Sequence, residues 1–104
     1  MINPKVFIII LNFNSFQDTK ECLQSLQQIN YDNYEIVVVD NSSKDNSYEK
    51  LKEEFSYYNI IKCNENLGYA NGNNLGIKYA LERDADYICC LLYTSDAADE
   101  GLGV

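Results

Sequence analysis

Four short apolar runs alternate with three stretches of helical spacing along this chain. The runs are Lys5 to Asn12 (KVFIIILN), Tyr34 to Asp40 (YEIVVVD), Asn59 to Cys63 (NIIKC) and Tyr87 to Leu92 (YICCLL). Ile36 to Val39 is β-branched and uninterrupted, the pattern of a strand buried on both faces of a parallel sheet. Between the first two runs, Phe16, Thr19, Cys22, Leu23, Leu26 and Ile29 form a helical stripe reaching to about Gln28. Ser15 stands as its N-cap, with Asp18 completing a Ser-x-x-Asp capping pattern. Tyr48, Leu51 and Phe55 carry a second helix. A Gly/Asn-rich connection, Asn64 to Gly76, then feeds a third helix to about Arg83, with Leu75, Ile77, Ala80 and Leu81 on its buried side. The order βαβαβαβ predicts an α/β class fold, a Rossmann-like and mostly parallel sheet with right-handed crossovers.

At 104 residues the chain makes one small domain or part of a larger one, and residues 1–92 carry all of the pattern. An apolar fraction of 46% suffices for a core. The formal charge of −8 argues against nucleic acid or an anionic membrane as the main partner. It leaves room for a small phosphorylated ligand, because a metal ion or a few backbone N–H groups supply local positive potential. No apolar run approaches the roughly 18–20 residues of a transmembrane helix. The expected location is cytoplasmic, with the inner face of the membrane left open for a full-length parent.

There is no histidine, so a Ser-His-Asp or Cys-His centre within the chain is excluded. Cysteines at 22, 63, 89 and 90 form no CxxC pair, which argues against structural zinc and a disulfide framework. Cys63, Cys89 and Cys90 fall in apparent strands and are expected to be buried thiols.

Three polar clusters close the first three strands: Asn12, Phe13 and Asn14; Asp40, Asn41 and Ser42; and Asn66 to Asn73. In a parallel sheet all three lie at one edge, where open α/β sheets bind ligands. A carboxylate at Asp40 can accept a hydrogen bond from a base imide or a ribose hydroxyl, while Gly68 and Gly72 let a ligand approach the backbone. The competing readings are structural. Asp40 would cap the next turn, Asn12 and Asn14 would form turns, and the glycines would serve loop geometry or helix packing. A dinucleotide fingerprint requires G-x-G-x-x-G after the first strand, and the chain has Asn12-Phe13-Asn14-Ser15-Phe16 there. A P-loop is absent as well.

Over about residues 4–92 the chain resembles family 2 glycosyltransferases of GT-A fold, especially the bacterial rhamnosyltransferase-like members. The resemblance rests on Leu11-Asn12-Phe13-Asn14, on Val38-Val39-Asp40-Asn41-Ser42-Ser43 with Asp45, and on Asn66-Leu67-Gly68-Tyr69-Ala70-x-Gly72-Asn73-Asn74-x-Gly76. It implies the N-terminal, nucleotide-binding half of an enzyme of cell-wall or polysaccharide biosynthesis. Such an enzyme moves a sugar with inversion from a UDP- or dTDP-linked donor to a saccharide or lipid-linked acceptor. By the same resemblance Asn12, Phe13, Asn14, Asp40, Asn41, Ser42, Gly68, Gly72 and Asn73 would line the donor nucleotide site. No catalytic residue is assigned within this chain. The alternative from another class is a non-catalytic Rossmann-like nucleotide-binding or interaction module.

The family's fourth strand leads into an aspartate motif, often Leu-Leu-Asn-x-Asp, that holds Mg²⁺ or Mn²⁺ against the donor diphosphate. Here Leu91-Leu92 runs into Tyr93-Thr94-Ser95-Asp96, so the asparagine is missing and the aspartate is out of step. The metal motif is therefore not intact, with Asp96 and Asp99 as the remaining acidic candidates. Residues 93–104 contain no Asn, Ile or Lys, in contrast to the body. They read as a non-native or disordered tail, and the polypeptide as an inactive fragment of its parent.

Overall fold

The computed structural model describes residues 3–92 of the chain. The tail expected over 93–104 lies outside the described residues. Elements follow in the order β1 (Val6–Asn12), α1 (Phe16–Leu26), β2 (Tyr34–Asp40), α2 (Ser47–Glu54), β3 (Asn59–Lys62), α3 (Gly68–Leu81) and β4 (Tyr87–Leu92). All four strands are parallel, in the order β3-β2-β1-β4.

The two central strands need cover on both faces, and the helices divide to supply it. Ile8, Ile10, Ile36 and Val38 point to one face, where Cys22 and Leu23 of α1, Leu51 of α2 and Phe55 close over them. Phe7, Ile9, Leu11, Val37 and Val39 point to the other, against Ala80, Leu75 and Tyr79 of α3. This division follows from handedness. The chain moves outward from β1 to β3 with both crossovers on one face, then returns to β4 on the opposite face. The reversal of direction falls between β1 and β4, so Asn12 at the end of β1 flanks the crevice that such a reversal opens. Fully burying a side chain such as Phe7, Ile9 or Leu51 contributes about 1.5–3 kcal/mol.

Several expectations are corrected. Asn64–Gly76 is not a loop throughout, because α3 begins at Gly68. Its glycines obscured the helix because they are poor helix formers, yet Gly72 and Gly76 are where the helix presses on the sheet. A Cβ at Gly76 would lie 2.5 Å from Ile9 Cγ2, and one at Gly72 would lie 2.7 Å from Leu11 Cδ1. The buried face is therefore Gly72, Asn73, Gly76 and Ala80, and Leu81 is 60% exposed. Ser15 does precede α1, but its side chain makes no capping bond, so the Ser15–Asp18 pattern does not form. Ile29 lies beyond α1 and is exposed. Cys89 and Cys90 are exposed, unlike Cys63, because among the described residues β4 is an edge strand and α1, α2 and α3 pack mainly over its neighbours.

Candidate functional site

In the β1–β2 register, Asn12 pairs with Asp40, so two polar residues meet side by side at the carboxyl end of the sheet. Both are fully buried, and Asn12 Nδ2 donates to Asp40 Oδ1 at 2.8 Å. Ser43 adds two donors: its backbone N–H reaches Asp40 Oδ2 at 3.0 Å, and its hydroxyl reaches Oδ1 at 2.6 Å. A buried carboxylate is tolerated when hydrogen bonds replace its hydration, and these three do so. Asp40 thus caps the turn that follows it, the structural alternative raised from the sequence. Its oxygens point into the protein.

The β1–α1 turn is tied to the β2–α2 turn. The Asn14 N–H donates to Ser43 Oγ at 2.9 Å, and the Lys44 N–H donates to Asn14 Oδ1 at 2.7 Å. Both turns include a non-glycine residue in the left-handed region, Asn14 at φ 50° and Ser42 at φ 66°. Asn14 is exposed, while Phe13, Ser42 and Ser43 are half-buried, so these residues form the accessible rim above the buried Asn12–Asp40 pair.

Asn41 joins the third cluster to the second. Its Oδ1 accepts the Leu67 N–H at 2.8 Å, and its Nδ2 donates to the Gly68 carbonyl at 3.1 Å. One side chain therefore satisfies a donor and an acceptor at the start of α3. Gly68 has φ 81° and is exposed. Gly72 faces the sheet against Leu11 and Asn41, where it serves helix packing. Asn73 is 9% exposed, and its Oδ1 has no hydrogen-bond partner among the described residues.

The structure thus brings Asn12, Asn14, Asp40, Asn41 and Gly68 into one bonded array with Ser42 and Phe13 on its rim, and sets Gly72 and Asn73 within α3. Sequence reasoning missed Ser43 and Thr19 as members. Thr19 Oγ1 donates to Asn12 Oδ1 at 2.6 Å, and Thr19 is fully buried. The available signal was a hydroxyl residue placed on the apolar stripe of α1.

The described residues do not fit a divalent cation. No group of three His, Cys, Asp or Glu side chains among them could hold one. Asp40 is occupied as above, and Asp45 accepts from the N–H and hydroxyl of Ser47. Asp96 and Asp99 lie outside the described residues. Nor is any helix among those residues long and apolar enough to cross a membrane.

The fold of this chain is similar to that of GT-A glycosyltransferases, as two of the solved structures that match it illustrate. One is a mannosyltransferase from Pyrobaculum calidifontis in complex with GDP-Man and Mn²⁺, with a TM-score of 0.70 and 23% identity, covering 76% of this chain and 25% of that one. The other is S. aureus TarS 1-349 in complex with UDP-GlcNAc, with a TM-score of 0.73 and 20% identity, covering 95% and 30%. In sequence, the family described as Glycosyl transferase family 2 matches residues 7–92. The chain belongs to that family. A curated relative, the low-salt glycan biosynthesis hexosyltransferase Agl10 of Haloferax volcanii, is 36% identical over 75 residues, 72% of this chain and 22% of its own length. The chain therefore spans about a fifth of that relative.

Proposed function

We propose that the carboxyl edge of the sheet holds the nucleotide of a sugar donor, in a protein that transfers the sugar to an acceptor hydroxyl with inversion. The carrying observation is the bonded array that joins the ends of β1 and β2 to the start of α3. It makes three turns into one preformed surface at the position where α/β sheets take nucleotides. Membership in glycosyl transferase family 2 supports the reading. So do the nucleotide sugars bound by structures of the same fold, GDP-Man in one and UDP-GlcNAc in the other.

In this reading Asn12 and Asp40 shape the floor, while Phe13, Asn14, Ser42 and Gly68 meet the base and ribose. Asn41 fixes α3 beside them, and Gly72 and Asn73 support the wall from within the helix. The donor is a UDP- or dTDP-linked sugar, and the acceptor is a saccharide or lipid-linked hydroxyl compound. A Mg²⁺ or Mn²⁺ ion would draw its ligands from outside residues 3–92. Calorimetric titration of UDP, dTDP, GDP and NAD against wild type, Asn14→Ala and Asp40→Ala tests the proposal. Binding of a uridine or thymidine nucleotide, weakened by Asn14→Ala without unfolding, is expected. Preference for NAD, or equal binding by wild type and both variants, would instead favour a non-catalytic Rossmann-like module.

A further inference from the structure

We propose that Thr19 is a positioning residue for this edge, setting the Asn12 amide and, through it, the geometry of both turns. The inference rests on the donor reading only in naming what the edge holds. A buried helical threonine commonly turns its hydroxyl back to a carbonyl of the preceding turn. Thr19 Oγ1 instead reaches out of α1 to Asn12 Oδ1 on β1, at 2.6 Å and out of water.

An asparagine amide carries an acceptor on one side and donors on the other, and its partners decide which way it faces. With Oδ1 held by Thr19, Nδ2 faces Asp40 Oδ1 at 2.8 Å and Ser43 Oγ at 3.2 Å. The reverse orientation would set two oxygens against each other at Asp40. Ser43 Oγ, directed toward Asp40, is then free to accept the Asn14 N–H, and Asn14 Oδ1 accepts the Lys44 N–H. Thr19 is the member of this sequence of bonds that sits on a helix. It fixes the two turns relative to the seat of α1 on the sheet.

The test uses the ¹⁵N-labelled full chain, comparing wild type with Thr19→Val, which keeps the shape but loses the hydroxyl, and Thr19→Ser, which keeps the hydroxyl. Amide hydrogen exchange is read at Asn14 and Lys44 in the turns and at Ile9 in β1, alongside UDP affinity. Leaving Asn12 Oδ1 unpartnered is expected to speed exchange at Asn14 and Lys44 and to weaken UDP binding, each about tenfold, with Ile9 unchanged. Thr19→Ser restores both. A purely structural role would raise exchange at all three amides together, and that result overturns the proposal, as does an unchanged rate at Asn14 and Lys44 in Thr19→Val. Should Thr19→Val fail to fold, Thr19→Ser still decides, because a tenfold rise at those two amides despite the retained hydroxyl overturns it. If the exchange pattern holds while wild type binds no UDP, the positioning role stands and the donor reading falls.

Discussion

Replacing Gly76 by alanine sets two effects against each other, and the structure decides the sign. Alanine is favoured over glycine in a helix interior by about 0.8–1 kcal/mol. The new Cβ would lie 2.5 Å from Ile9 Cγ2 and 3.2 Å from Val39 Cγ2. Carbon atoms in contact sit at roughly 3.5–4.0 Å, so the first contact is short by about 1 Å. Ile9 cannot yield cheaply: it is buried on a central strand, and Cγ2 is attached directly to a β-branched carbon. Relief requires α3 to lift from the sheet. Overpacking of this kind costs about 1–3 kcal/mol, and a rigid neighbour places the cost at the upper end. The net expectation is a loss of about 2 kcal/mol, or roughly 10 °C in Tm for a domain of this size. Gly72→Ala is the matched control. Its close neighbour, Leu11 Cδ1 at 2.7 Å, is the far end of a flexible side chain, so the change should fall within about 1 kcal/mol of wild type. Urea and thermal unfolding followed by circular dichroism measure both. A Gly76→Ala protein as stable as wild type would refute the argument that this glycine is required by close approach.

Asn41→Ala removes both bonds to the start of α3 and should cost about 1–3 kcal/mol in urea unfolding, with faster exchange at the Leu67 amide. Lys5, 2.9 Å from Glu35, together with Asn59, holds the Glu35 carboxyl below the usual carboxylate range. A lowered folded value means that the pair stabilises above the unfolded pKa of about 4.3 and stops doing so as pH falls through the folded value. The stability gap between wild type and Glu35→Gln should therefore be less than about 1 kcal/mol at pH 7, since both partners are partly in water, and should close toward pH 3. Thiol titration of the folded chain should find Cys89 and Cys90 modified before Cys22 and Cys63, because the latter two are shielded from reagent, while burial pushes the thiols of Cys22, Cys63 and Cys90 alike upward.

Strand positions were legible wherever burial on both faces forced a continuous apolar run. β2 and β4 start and end where the sequence placed them, and β1 differs by one residue. The third helix was legible only in its second half. Its first turns carry Gly68, Gly72 and Asn71 to Asn74, residues that favour loops locally and are accepted here because the sheet needs a thin helix face. That Asn12, Asp40 and Asn41 share one edge followed from the strands being parallel. Whether Asp40 looks outward or inward did not, because that depends on Ser43 and Asn12 meeting it in space. The exposure of Cys89 and Cys90 was likewise set by where the helices lie, which the apolar run of β4 does not encode.

Ser42 has no Cβ-free backbone to excuse its φ of 66°. A left-handed conformation costs an ordinary residue roughly 1–2 kcal/mol, and glycine avoids most of that. The turn after β2 therefore holds a reserve of strain. Ser42→Gly should raise stability while leaving the Asp40 and Ser43 bonds in place, but the glycine would also widen the conformations open to the unbound turn. Under the proposed donor-binding role, in which this rim meets a nucleotide already shaped, the serine would trade resistance to unfolding for readiness.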